Sequence, residues 1–134
     1  MSQENLEAFR RSIEAANRRD LDGLLEELDP AVEWHAGLFE LLGGEATVYR
    51  GREGARQAVR ELLEAFPDFQ LDISEARALG DRVLGIGRIH AHGAASGVEI
   101  DSFYAYLVRF KDGKGIWVRS FIHPQDLEAA GLWE

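Results

Sequence analysis

Residues 98–110, which read VEIDSFYAYLVRF, decide the fold class of this 134-residue chain. The stretch is long, and aromatic and β-branched residues dominate it, which is typical of a β-strand. Successive side chains of a strand point to opposite faces, so Tyr104 and Tyr106 share one face while Asp101 and Phe103 share the other. The stretch therefore predicts one long strand with a face that carries two tyrosines.

The segments on either side of this stretch have the same period of two. They are residues 69–74, 82–92 and 116–123, and turn-rich segments at 80–81, 93–97 and 112–115 connect them. Strands joined by such short connections pair in antiparallel fashion, because a parallel pair needs a long crossover. The second half of the chain therefore predicts an antiparallel meander.

The first half has the period of a helix instead. Apolar residues recur at spacings of three and four along residues 6–16, which predicts an amphipathic helix. Asp20 can cap a second short helix that includes Leu28 and that Pro30 stops, and residues 52–66 predict a third helix. Residues 31–35 predict a short strand, residues 37–44 a loop, and residues 125–130 a last helical turn. Together these elements predict an α+β fold in which three helices pack on one curved antiparallel sheet.

Length, composition and charge indicate what kind of protein this is and which partners are excluded. A length of 134 residues and 46% hydrophobic residues predict one globular domain over residues 1–134. The chain has no cysteine and no visible signal peptide or membrane-spanning run, so we expect a soluble cytoplasmic protein that does not bind membranes. A net charge of −9 argues against nucleic acid as a partner, because phosphate binding needs clustered positive charge.

Several short strings, together with the order of the elements, resemble the nuclear transport factor 2-like superfamily. Within it, the chain is similar to the SnoaL-like group, which is related to polyketide cyclases and ketosteroid isomerases. The strings are residues 17–25 (NRRDLDGLL), 32–34 (VEW), 49–54 (YRGREG), 109–114 (RFKDGK) and 127–132 (LEAAGL). The resemblance implies a cone-shaped α+β barrel with a pocket between the helices and the concave face of the sheet.

The resemblance also implies which strand faces line that pocket. Beside Trp34 and the face of Tyr104 and Tyr106, two further faces are expected to point inward. They comprise Leu84, Ile86, Arg88, His90 and His92 on one strand and Trp117, Arg119, Phe121 and His123 on another. The outer faces are then expected to form a homodimer, through residues such as Phe103 and Leu107.

The catalytic residues of known relatives are missing at the matching positions. In ketosteroid isomerases the resemblance implies a base where this chain has Trp34, an acid at Tyr106 and a tyrosine at Ser12. Limonene epoxide hydrolases use an Asp–Arg–Asp arrangement, for which Asp101 and Arg88 are available. The alternation along the strand, however, directs Asp101 outward. Neither chemistry is therefore expected in its known form.

The polar residues expected inside the pocket can support acid–base chemistry of another kind. His90 is a candidate general base, Tyr106 a hydrogen-bond donor, and Arg88 and Arg119 are candidates to stabilise negative charge. Residues expected to bind the substrate are Trp34, Ile86, Tyr104, Phe121 and His123. We therefore expect a cofactor-free isomerase, cyclase or dehydratase that acts on a small apolar ligand bearing a carbonyl or hydroxyl group.

Two other functions remain open at this point. The chain can be a non-catalytic ligand-binding protein of the same fold, or a dimeric scaffold whose sheet surface carries the function. His90 and His92 can also lie unused at a wet pocket mouth. With His35 or His123 they form a conceivable metal site, but the chain offers no clear carboxylate ligand, and we expect neither a metal nor a cofactor.

Overall fold

The computed structural model describes residues 2–36 and 47–132. The helices in this part of the chain are α1 (Ser2–Arg18), α2 (Leu21–Glu26), α3 (Gly51–Ala65) and α4 (Pro124–Ala129). The strands are β1 (Leu28–Ala36), β2 (Thr47–Arg50), β3 (Gln70–Leu79), β4 (Arg82–His92), β5 (Glu99–Lys111) and β6 (Lys114–Phe121). The loop predicted over residues 37–44 lies outside the described residues.

One mixed sheet in the order β2-β1-β6-β5-β4-β3 organises these elements. The strands β3 to β6 form the predicted antiparallel meander, and the α+β class is confirmed. The prediction of a wholly antiparallel sheet is wrong at one place, because β1 pairs with β6 in parallel. The short strand β2, which the sequence pattern did not predict, pairs with β1 at the edge of the sheet.

The second helix is shorter than predicted. It ends at Glu26, and Leu28 already belongs to β1, where it is paired with Gly115 of β6. The Gly115 N–H donates to the carbonyl of Glu27 at 2.9 Å, so strand pairing replaces the next helical turn. The cap at Asp20 is confirmed, because its carboxylate accepts a hydrogen bond from the Gly23 N–H.

Polar side chains at the end of α1 attach this helix to the sheet. The Asn17 amide exchanges two hydrogen bonds of 2.9 Å with the backbone of Leu71 in β3. Arg19 has a positive φ of 65° and donates to the carbonyls of Pro67 and Phe69. Asn17 and Arg19, which belong to the string at residues 17–25, therefore hold the end of α1 against β3 and the segment before it.

The sheet carries an apolar cluster on each face. We call the face that packs against α1 and α3 the inner face, and the opposite face the outer face. The inner cluster includes Phe9, Tyr106 and Val118, all at most 4% exposed. The outer cluster includes Leu84 and Leu107 and is covered by Leu127 of α4, which is fully buried. Helix α4 thus gives the outer face a core of its own.

The face predicted for β5 is correct, but the faces predicted for β4 and β6 are reversed. Tyr104 and Tyr106 lie on the inner face, and Asp101 is exposed on the outer face. On β4, the residues on the inner face are Val83, Gly85, Gly87, Ile89 and Ala91, whereas Leu84, Ile86, Arg88, His90 and His92 lie on the outer face. On β6, Val118 and Ser120 face inward, whereas Trp117, Arg119 and Phe121 face outward.

One residue in each case explains the two reversals, in the connection before β5 and in a bulge within β6. The connection between β4 and β5 includes Val98, so His92 pairs with Glu99 and Gly85 lies opposite Tyr106. A connection that ended at Gly97 would have paired His92 with Val98 and turned every β4 side chain to the other face. In β6, a bulge follows the pairing of Phe110 with Gly115 and moves the register by one residue.

Candidate functional site

A small apolar cavity lies between the helices and the inner face of the sheet. It has a volume of about 30 Å³, which is room for roughly one water molecule. The side chains that line it come from α1, α2, α3, β1, β3, β5 and the segment before β3. They are Ser12, Ile13, Ala16, Leu24, Trp34, Val59, Leu62, Phe69, Leu71, Tyr104 and Tyr106. This cavity lies between the helices and the sheet, where the resemblance to the SnoaL-like group implies a pocket.

Tyr106 stands at the centre of an aromatic cluster beside this cavity. Its ring centroid lies 5.6 Å from that of Phe9, 6.0 Å from that of Trp34 and 6.4 Å from that of Tyr104. Phe9 can approach β5 this closely because Gly85 is the cross-strand neighbour of Tyr106. A Cβ atom at Gly85 would lie only 2.3 Å from Cζ of Phe9.

The two tyrosine hydroxyls have different surroundings. The hydroxyls of Tyr104 and Ser120 form a buried hydrogen bond of 2.8 Å. In residues 2–36 and 47–132, no group forms a hydrogen bond with the hydroxyl of Tyr106. In the same residues, every side-chain nitrogen or oxygen atom that is fully buried has a hydrogen-bond partner. Because the Tyr106 hydroxyl has no partner among these residues, it is not fully buried and borders open space. It is therefore available to a molecule in the cavity.

Both tyrosines remain protonated at neutral pH. Burial raises the pKa of Tyr104 to about 12, although the hydrogen bond between its hydroxyl and that of Ser120 lowers it in part. Burial raises the pKa of Tyr106 well above its ordinary value, and the nearby Tyr104 raises it further. A neutral phenol in an apolar cavity can donate one hydrogen bond to a carbonyl, hydroxyl or developing oxyanion.

The remaining cavity lining is apolar except for Ser12. The Ser12 hydroxyl donates to the carbonyl of Phe9 at 2.6 Å, within its own helix. No carboxylate, imidazole, ammonium or guanidinium group lines the cavity among the described residues. The cavity can therefore orient a ligand by one hydrogen bond, but these lining residues include no base for proton transfer near neutral pH.

The cationic residues predicted for the pocket lie on the outer face instead. Arg88 is 54% exposed and donates to the Asp101 carboxylate at 2.7 Å and to the Asp101 carbonyl at 3.0 Å. The His90 Nδ1 atom lies 3.4 Å from the same carboxylate. The pKa of Asp101 is lowered, chiefly by the hydrogen bond from Arg88. Arg88 thus has the acidic partner that the pattern left unidentified.

The other predicted site residues of β4 and β6 also lie outside the cavity. Arg119 stacks on the ring of Phe121, with its guanidinium carbon 4.5 Å from the ring centroid. Phe121 and Ile86 belong to the outer cluster. His123 is exposed at the residue before α4. Of the predicted site residues, Trp34, Tyr104 and Tyr106 are the ones that the structure brings to the cavity.

Residues of the helices complete the cavity, and the sequence analysis did not include them among the site residues. The apolar stripes of the helices were predicted to pack on the sheet. These stripes include Ile13 and Ala16 of α1 and Leu62 of α3, so they were the signal that could have identified these residues. Ser120, the partner of Tyr104, was missed because β6 was assigned the opposite face.

A family model described as the SnoaL-like domain matches residues 9–118. The chain belongs to this family. The matched residues run from α1 to β6 and include both tyrosines of the cavity. A search of curated proteins found no match for this SnoaL-like domain.

Solved structures share the fold at low sequence identity. An NTF2-like protein of unknown function from Burkholderia pseudomallei is 22% identical, with a TM-score of 0.81 and coverage of 96% of this chain and 97% of that one. TerC, crystallised with polyporic acid, is 21% identical, with a TM-score of 0.78 and coverage of 94% and 96%. A protein described as a SnoaL-like polyketide cyclase, from Jannaschia sp. CCS1, is 20% identical, with a TM-score of 0.79 and coverage of 98% and 94%. These likenesses establish the NTF2-like fold of this SnoaL-like domain.

Two further properties bear on possible partners of the domain. No group of three or more His, Asp or Glu side chains that could hold a metal ion occurs in the described part of the chain. His92, which was considered for such a site, instead places its Nδ1 atom 2.6 Å from the Asp68 carboxylate. In the same residues, no helix is long and apolar enough to cross a membrane.

Proposed function

We propose that this SnoaL-like domain binds a small apolar molecule bearing a carbonyl or hydroxyl oxygen, and that Tyr106 donates a hydrogen bond to this oxygen. The observation that carries the proposal is the Tyr106 hydroxyl, which borders an apolar cavity without a partner among the described residues. This hydroxyl has no fixed acceptor among the described residues, and a ligand oxygen at this position would supply one.

The size of the cavity sets a condition on binding. Ligand pockets typically have volumes of about 300–1,000 Å³, so a cavity of 30 Å³ must widen before it can hold such a molecule. Ile13, Trp34 and Leu62 line the cavity and are only partly buried. Because these side chains can move toward solvent, we expect the ligand to enter between α1, α3 and β1.

A cofactor-free isomerase, cyclase or dehydratase is the second candidate function. The same hydroxyl favours it, since a neutral tyrosine can stabilise the oxyanion of an enolate. The likeness to a protein described as a polyketide cyclase and to TerC, crystallised with polyporic acid, agrees with an oxygen-bearing ligand. The described lining has no proton acceptor suited to neutral pH, so ligand binding is the function that we propose first.

We also propose that the domain forms a homodimer through its outer face in the cytoplasm. Phe103 is a partly exposed aromatic residue of that face and is a suitable contact. Leu107 is only 3% exposed, so we expect it to pack beneath Phe103 in the outer cluster and not to touch the second copy itself. Phe103→Glu should convert a dimer to a monomer in light scattering without loss of the native circular dichroism. A monomeric wild-type protein would refute the proposal.

A thermal-shift screen with two matched variants tests the binding proposal. The panel holds steroid ketones, polycyclic polyketide esters, terpene epoxides and simple aromatic acids. We expect one class to raise the melting temperature of the wild type and of Tyr104→Phe, but to lose most of this effect in Tyr106→Phe. Equal stabilisation of all three proteins would show that the ligand does not use the Tyr106 hydroxyl.

The catalytic candidate requires a separate measurement. For any panel compound that is turned over, product formation is compared in the wild type, Tyr106→Phe and His90→Ala. Because His90 is exposed outside the cavity, we expect His90→Ala to keep the turnover of the wild type. Tyr106→Phe should lose turnover. Loss of turnover in His90→Ala, with an unchanged fold, would instead support the general-base role inferred from the sequence.

A further inference from the structure

A second concave surface lies on the outer face of the sheet, between β5, β6 and the residues that follow α4. It has a volume of about 430 Å³, within the range of sites that hold small molecules. Its lining includes Leu107, Trp117, Phe121 and Leu132, which supply aromatic and aliphatic surface. We call this surface the arginine groove, because Arg82, Arg109 and Arg119 also line it. The sheet separates it from the inner cavity.

The arginine groove is positively charged in a strongly acidic protein. Three arginines and one acid, Asp81, give the lining a net charge of 3 − 1 = +2, whereas the whole chain has a net charge of −9. Asp81 pairs with Arg109 at 2.9 Å. No carboxylate of residues 2–36 or 47–132 pairs with Arg82 or Arg119. Two guanidinium groups of the groove therefore lack an anionic partner within the described chain.

The register of the sheet brings these positive charges together. Arg82 of β4 lies directly opposite Arg109 of β5, and like charges at such positions destabilise a sheet. Arg119 is held in place by its stacking on Phe121, which leaves the edge of its guanidinium group available for hydrogen bonds. An anion in the groove would relieve the repulsion and would form charge-assisted hydrogen bonds.

We propose that the arginine groove binds a small aromatic carboxylate. The planar, forked guanidinium groups match the geometry of a carboxylate, and the partly exposed side chains of Trp117 and Leu132 supply apolar surface for a ring. The volume of about 430 Å³ is sufficient for a ligand with one aromatic ring or with two fused rings. The groove is separate from the inner cavity, because the two share no lining residue, although it shares Leu107 with the proposed dimer contact.

Isothermal titration with 2-naphthoate and with the neutral 2-naphthalenemethanol tests this site. We expect wild-type protein to bind the carboxylate at least about tenfold more tightly than the alcohol, with weaker binding at high salt. The double variant Arg82→Gln/Arg119→Gln should lose this preference. The control Arg10→Gln/Arg60→Gln removes the same two charges from exposed positions of α1 and α3 and should bind as the wild type does. Thermal melts confirm that all variants are folded.

Three outcomes would overturn the proposal. The first is equal binding of the carboxylate and the alcohol, or no binding of either. The second is a loss of naphthoate binding in Tyr106→Phe, which would assign the carboxylate to the inner cavity. The third is a change from dimer to monomer in the double variant by light scattering, which would assign the groove to a second copy of the chain.

Discussion

The contrast between Tyr104 and Tyr106 leads to a prediction about stability. Both side chains are buried on the inner face, and replacement by phenylalanine removes one oxygen atom from each with little change in shape. The Tyr104 hydroxyl has a buried partner in Ser120, whereas the Tyr106 hydroxyl borders the cavity. We therefore expect Tyr104→Phe to destabilise the fold and Tyr106→Phe to leave it nearly unchanged.

The magnitudes follow from the hydrogen bonds that each change removes. Tyr104→Phe breaks the 2.8 Å bond and leaves the hydroxyl of Ser120, a residue only 8% exposed, without its partner. Leaving a buried polar group unpaired costs about 1–3 kcal/mol. Tyr106→Phe removes no hydrogen bond to a described residue, so the expected change is within about 0.5 kcal/mol of zero, in either direction.

Urea unfolding followed by far-ultraviolet circular dichroism measures both changes. The wild type and the two variants should unfold with the same dependence on urea concentration, so that a shift of the midpoint reports stability alone. The double variant Tyr104→Phe/Ser120→Ala serves as a control, because it removes both partners and should recover part of the lost stability. A loss in Tyr106→Phe as large as that in Tyr104→Phe would refute the assignment of a free hydroxyl to Tyr106.

Three other substitutions test contacts that stabilise the fold. Gly85→Ala should cost about 1–3 kcal/mol of folding free energy, because its Cβ would lie 2.3 Å from Cζ of the buried Phe9; chemical denaturation with no loss of stability would contradict this packing. Asn17→Ala should cost about 2–3 kcal/mol in the same assay, since it removes both 2.9 Å hydrogen bonds to the backbone of β3, and a neutral effect would show that the helical layer is held elsewhere. Hydrogen bonds from His92 lower the pKa of Asp68 below its ordinary 3.8, so this pair stabilises the fold above that pH and the contribution is lost as pH falls through the lowered pKa. Thermal melts should therefore show a small gap between wild type and Asp68→Asn at pH 5–7 that closes in stronger acid, and a gap independent of pH would contradict it.

The sequence was sufficient to predict the helices and strands other than β2, and the face of β5 that carries the two tyrosines. The run of residues 98–110 correctly predicted that Tyr104 and Tyr106 share the inner face and that Asp101 points away from it. Asp20 was correctly predicted as a helix cap because the capping interaction is local in sequence. The resemblance to the SnoaL-like group was also confirmed, because the model of this family matches residues 9–118.

The face of β4 could not be predicted from its own pattern. Val83 and Leu84 are both fully buried although they point to opposite faces, because α4 covers the outer side of the sheet. Gly85 and Gly87 lie on the inner face and have no side chain that would reveal it. Only the register against β5 decides the face, and this register depends on whether Val98 belongs to the connection or to the strand.

The face of β6 could not be predicted from the side-chain pattern because of a bulge. Lys111 pairs with Lys114 at the turn, and continuing that register would have placed Arg119 opposite Tyr106. The bulge beside Phe110 places Ser120 there instead. A bulge adds one backbone residue without a distinctive side chain, so the pattern of side chains does not indicate its position.

A structure of the protein with the panel compound that stabilises it most would show directly whether Tyr106 binds the ligand. We expect the compound to lie in a widened inner cavity, with its oxygen about 2.5–3.0 Å from the Tyr106 hydroxyl and with the Tyr104–Ser120 hydrogen bond intact. A compound bound outside this cavity, or inside it with its oxygen away from the Tyr106 hydroxyl, would refute the proposed role of Tyr106.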